Sequence, residues 1–148
     1  MATTYEHDIV AWAREQAYLL RSGKLSAIDI EHIAEEIEDV GKSEQRELAS
    51  RMAVLLAHLL KWQYQSARQS TSWQRMIKEQ RKAIARRLIN TPSLNVSIHD
   101  PEWLAAAWGD AVSISINETG MDCFPEVCSW TIENILFEAW LPHTLNEH

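Results

Sequence analysis

Glu44, Arg51 and His58 stand at seven-residue intervals, a step that returns a side chain to nearly the same side of a helix after two turns. The row begins with Ile30 and Ile37 and lies beside Leu48, Leu55 and Trp62, so three polar groups are expected to enter an apolar seam. An unpaired charge there is costly, which calls for partners on facing helices, and Gln16 and Gln80 are the candidates. An imidazole near its neutral-pH equilibrium, with a guanidinium and the carboxylates of Glu44 and Glu36, could move protons in a cleft that reached His58. Fully paired, the same groups would only fix the register of a bundle.

Two further clusters carry chemistry. In the acidic stretch from Asp29 to Asp39, Glu31 and Glu35 lie one turn apart, as do His32 and Glu36, the donor types and spacing of a divalent-cation site. A di-metal bundle repeats a Glu-x-x-His word on a second helix, and this chain has no such repeat, so no metal or other cofactor is expected. Downstream, Arg75, Lys78, Lys82 and Arg86 give one segment a basic surface near Trp62, Tyr64 and Trp73, the ingredients of a nucleic-acid face. Cys123 and Cys128 form one loose pair, too few for a zinc site and expected to be reduced. The chain has no Gly-rich phosphate loop, no Gly-x-Ser-x-Gly elbow and no Cys/His pair suited to a nucleophile, and its catalytic residues, if any, stay unassigned.

The elements that position these groups read as helices throughout. Four glycines and four prolines fall between segments with apolar residues at steps of three and four. Asp8 caps a helix to Ser22, with Ile9, Trp12, Gln16, Leu19 and Leu20 on one face and Gly23 at its end. Asp29 caps a long second helix to Gln65, where Gly41 predicts a kink or two helices nearly in line. Ser72 is expected to cap a third, with Trp73, Ile77, Gln80, Ile84 and Leu88 inward, until Pro92. Asp100-Pro101 opens a fourth that ends at Gly120, and a fifth runs from about Ser129 to Glu138. The weak alternation over Val112 to Ile116 is the sole hint of a strand.

The expectation is one all-α domain over residues 1–148, an antiparallel bundle of about five helices with a long second helix. No apolar run approaches the ~20 residues of a membrane span, and the net charge of −7 suits a cytoplasmic protein without whole-surface attraction to nucleic acid or membrane. The charge is segregated. Residues 1–39 hold nine acids and three bases, 61–87 hold one acid and eight bases, and 88–148 hold nine acids and no base.

Several words in the chain carry a family likeness. Tyr5, Asp8, Trp12, Gln16, Leu19-Leu20-Arg21, Leu25, Asp29, Glu35-Glu36-Ile37-Glu38, Leu55 to Gln63, Ser72-Trp73, Arg81, Pro92-Ser93-Leu94, Glu118-Thr119-Gly120 and Phe124-Pro125 together resemble the bacterial domain-of-unknown-function family DUF29. The likeness covers nearly the whole chain and implies a small all-helical protein with no assigned activity, cofactor or catalytic residue. Trp108 and the Ala111 to Ile116 run depart from the family's pattern in the fourth helix. The functional expectation that follows is a non-enzymatic module that binds a protein partner or its own copy. The alternatives are an enzyme or ligand-binding protein built on Glu44, Arg51 and His58, and nucleic-acid binding along the third helix.

Overall fold

The computed structural model describes residues 4–145 as helices and connecting turns, with no strand among them. Helix α1 spans Ile9–Arg21; the Asp8 carboxylate accepts from the Ala11 N–H at 3.1 Å, and Gly23 takes the left-handed φ of +73° that ends it. Helix α2 spans Ile30–Tyr64 without interruption. The chain does not divide into two helices at Gly41, because one glycine costs about 1 kcal/mol and good helix formers on both sides carry the ladder through.

Helix α3, Thr71–Asn90, begins one cap earlier than expected: Ser70, extended at φ −147°, accepts from the Trp73 N–H at 3.2 Å, and Ser72 sits inside the first turn. A 3₁₀ turn at Pro92–Leu94 leads into the single-turn helix α4, Asn95–Ile98, which the sequence reading missed. Helix α5, Pro101–Thr119, has the Asp100 cap and the Gly120 terminus at φ +72° that its sequence announces. It also absorbs the weak alternation at Val112. Helix α6, Ile132–Leu136, is shorter than expected, since Thr131 rather than Ser129 caps it, accepting from the Asn134 N–H at 3.2 Å.

The chain gathers into two compact units that divide within α2, one ending at Glu44 and the other beginning at Gln45. In the first, α1 and the upstream part of α2 bury only Trp12 and Gln16 among the described residues. In the second, Leu48, Met52, Leu55, Leu56, Leu59 and Leu60 of α2 form a continuous core with Ile77 and Ile84 of α3, Trp108 and Ala111 of α5, and Ile135 of α6. The α2 row therefore does not face inward along its whole length. Ile30 and Ile37 are 68% and 67% exposed and Glu44 is exposed, whereas Leu48 and Leu55 are sealed. Among the described residues of the first unit α1 is the one α-helix that can pack on α2, and it does so through Trp12 and Gln16.

Arg81 of α3 ties down the C-terminal segment. Its buried guanidinium donates to three backbone carbonyls, those of Ile135 at 2.8 Å, Glu138 at 3.1 Å and Trp140 at 2.7 Å. Trp140 in turn packs edge-on against Trp130, and Trp130 against Trp108, whose indole donates to the Pro125 carbonyl. A planar guanidinium reaches three spaced carbonyls from three separate nitrogens, whereas an ammonium must serve them all from one point. Arg81→Met should lower unfolding free energy in urea by about 2–3 kcal/mol, and Arg81→Lys should recover less than half of that loss.

Candidate functional site

The first unit is organised around Asp29. The residue stands just ahead of α2, and one carboxylate oxygen serves two donors: Trp12 Nε1 at 3.0 Å and His32 Nδ1 at 2.7 Å. Its own backbone N–H donates to Gln16 Oε1 at 2.7 Å, which accounts for a glutamine buried on an apolar face. Tyr5 stacks flat on the His32 ring at 4.2 Å between centroids, meets Trp12 edge-on at 4.9 Å, and donates its hydroxyl to the Glu36 carboxylate. Glu6 Oε1 lies 3.4 Å from His32 Nε2.

The charges follow from these contacts. The Asp29 carboxylate raises the His32 pKa above the ordinary imidazole value, and the His32 hydrogen bond holds Asp29 below the carboxylate range. The bond to Glu36 pushes the Tyr5 phenol up to about 12. This is a closed hydrogen-bonded clasp between α1, the segment before it and α2. No group of three or more His, Cys, Asp or Glu that could hold a metal comes together among the described residues.

Alongside the clasp, α1 and α2 enclose a groove of about 250 Å³ lined by Trp12, Ala13, Gln16, Ala17, Leu20, Ile33, Glu36, Ile37 and Val40. The lining is almost wholly apolar, and Leu20, Ile37 and Val40 are 44%, 67% and 66% exposed. This unit carries ten carboxylates against four basic side chains up to Glu44.

The groups expected to meet at the seam are dispersed. Glu44 is exposed; Arg51 is half-buried beside Glu47 of the same helix, Nε to Oε1 3.4 Å; and Glu47 also receives Arg87 of α3 at 3.2 Å. His58 uses Nδ1 on the Val54 carbonyl one turn back, 2.8 Å away, and burial pulls its pKa down. Gln16 serves Asp29 rather than this row, and Gln80, half-buried on α3, keeps a carboxamide oxygen that no hydrogen bond reaches. What gathers near His58 is instead Lys61, buried, in an ion pair with Glu118 of α5 and over the Trp73 ring at 5.7 Å. A cleft of about 420 Å³ between α2 and α5 is lined by Ser50, Ala53, Val54, Asp110, Ser113, Ile114 and Asn117, without the imidazole.

Arg75, Lys78, Lys82 and Arg86 are all exposed on α3, on the side opposite buried Ile77 and Ile84. Sequence reading gave Asp29 its cap but missed its part in the clasp, and it missed the roles of Arg81 and Lys61. The signal for Arg81 was available, since it falls four residues after Ile77 and three before Ile84 on the inward stripe.

The model of the family described as domain of unknown function DUF29 matches residues 4–141, and the chain belongs to that family. No curated protein and no solved structure matches it. Tyr5, Trp12, Gln16, Asp29 and Glu36, which carried the family likeness in the first half of the chain, all lie in the one clasp.

His32 and His58 should titrate on opposite sides of about 6.5: His32 above it, His58 below it. His32 adds stability that is full below about 6.5 and lost as pH rises through its raised pKa. Asp29 adds stability lost as pH falls through its lowered one, so the clasp is firmest between about pH 4 and 6.5. Proton NMR of the ring hydrogens checks this; in Asp29→Asn the His32 midpoint should fall while that of His58 stays, and an unmoved His32 would refute the pairing.

Proposed function

We propose that this member of the DUF29 family is a protein-docking module whose groove between α1 and the upstream part of α2 receives a basic amphipathic helix of another protein. The observation that carries the reading is the apolar lining left uncovered: exposed Leu20, Ile37 and Val40, with half-buried Ile33, flank a slot beside the Asp29 clasp. Apolar side chains at i, i+4 and i+7 of α2 (Ile33, Ile37, Val40) are the register in which a groove accepts the knobs of another helix. A unit of some 40 residues with two buried side chains among the described ones gains stability from a cover, as small domains do.

Charge selects the occupant. Ten carboxylates against four bases give this unit a field that draws in a basic segment and repels a second copy of itself. The apolar contacts then hold what the field delivers, and hydrophobic anchoring with electrostatic steering needs no catalytic group.

Calorimetry with a synthetic 18-residue helix of leucine on one face and lysine on the other tests the reading. Binding is expected for the wild type, with a loss of at least tenfold in Ile37→Glu and none for a scrambled peptide of the same composition. Equal binding of both peptides, or an unaffected variant, would overturn it. A concentration-dependent dimer in light scattering that Ile37→Glu dissolves would make a second copy the occupant and also overturn it.

A further inference from the structure

The basic helix α3 is independent of the groove. Eight of the chain's fourteen Lys and Arg lie in residues 61–87, in a protein of net charge −7. Arg75, Lys78, Lys82 and Arg86 follow one another at steps of three, four and four, so they form a ridge about 16 Å long at 1.5 Å per residue. All four are exposed, and the opposite side of the helix is spent in the core by Ile77 and Ile84. Glu79 is the one acid within α3 itself. Lys78 lines two small clefts of about 210 and 160 Å³, and Lys82 lines the second, both with Glu138 and with Arg81, whose guanidinium is already committed to backbone carbonyls.

We propose that this ridge binds the phosphate backbone of a nucleic-acid duplex, independently of base sequence. A 16 Å row spans about five phosphate steps along one strand at 3.4 Å each, and Arg75 and Arg86 at its ends offer the planar fork that grips phosphate by two bonds. Contacts of this type position a protein on a duplex and read no bases.

The competing polyanions fit less well. A membrane-surface helix sinks an apolar face into the headgroup layer, and the apolar face of α3 is already buried in its own unit. A protein interface concentrates aromatic and apolar side chains at its centre and excludes charge, whereas the middle of this ridge is Lys78 and Lys82.

Three to four neutralised phosphates give a log–log salt slope of about −2.7 to −3.6, so affinity should fall about 40- to 150-fold between 50 and 200 mM salt. Fluorescence anisotropy with labelled 20-base-pair duplexes of two unrelated sequences, as DNA and as RNA, reads this out on the full chain. The two sequences should bind alike, with the DNA and RNA arms showing which backbone is preferred. Binding should drop at least tenfold when Arg75, Lys78, Lys82 and Arg86 are all changed to Gln. A control with Arg14→Gln, Arg21→Gln, Lys24→Gln and Lys42→Gln, exposed bases of the first unit, makes the same change in net charge and should leave binding within twofold. Circular dichroism confirms that both variants keep their helices. No binding at 50 mM salt, equal loss in the two variants, or tighter capture by phosphatidylserine vesicles or polyglutamate than by duplex would each overturn the proposal.

Discussion

A single helix of 35 residues with an apolar row along its length, covered over only its downstream part, sets the terms for everything else in this protein. From Leu48 to Leu60 that row is sealed by α3, α5 and α6, and burial of apolar surface holds it. At Ile30, Ile37 and Val40 the row stands open. What orders the upstream stretch is a polar device: Asp29 gathers an indole, an imidazole and its own amide's tie to Gln16 into one knot. Hydrogen bonds to a charged carboxylate are directional and about twice as strong as neutral ones. They can therefore fix α1 against α2 without closing the apolar slot between them.

Both binding proposals come from the same economy of helix faces. Each amphipathic helix has one apolar stripe, and α3 spends its stripe on Ile77 and Ile84, leaving a basic outer ridge. The upstream part of α2 spends little of its stripe on its own unit, leaving an apolar slot under an acidic field. The two faces differ in sign and in character. On these proposals occupancy of one is set by apolar complementarity and of the other by phosphate geometry, so salt should weaken the second far more than the first.

The sequence made the helices legible because their ends are written in local chemistry. Asp8, Asp29 and Asp100 cap where expected, and Gly23 and Gly120 adopt the left-handed turn expected of them. Ser72 misled because Ser70, two residues earlier, is the serine with extended backbone. The candidate site was far less legible. Periodicity places Glu44, Arg51 and His58 on one row, yet cannot say how much of that row another element covers. Cover depends on contacts distant in sequence. The Asp29 clasp joins Tyr5 to Glu36 and Trp12 to Asp29 across a turn, a pairing that no spacing rule within one helix can reveal. Likewise the buried Lys61 meets Glu118 from a helix more than fifty residues away.

Native-state hydrogen exchange of Asp29→Ala tests most directly whether the two halves of α2 are held by different forces. Amides of residues 9–44 should exchange at least tenfold faster than in the wild type, while those from Leu48 to Leu60 keep their protection. Uniform acceleration along the whole chain, or unchanged exchange in residues 9–44, would contradict the account, because the clasp would then not be what orders the upstream unit.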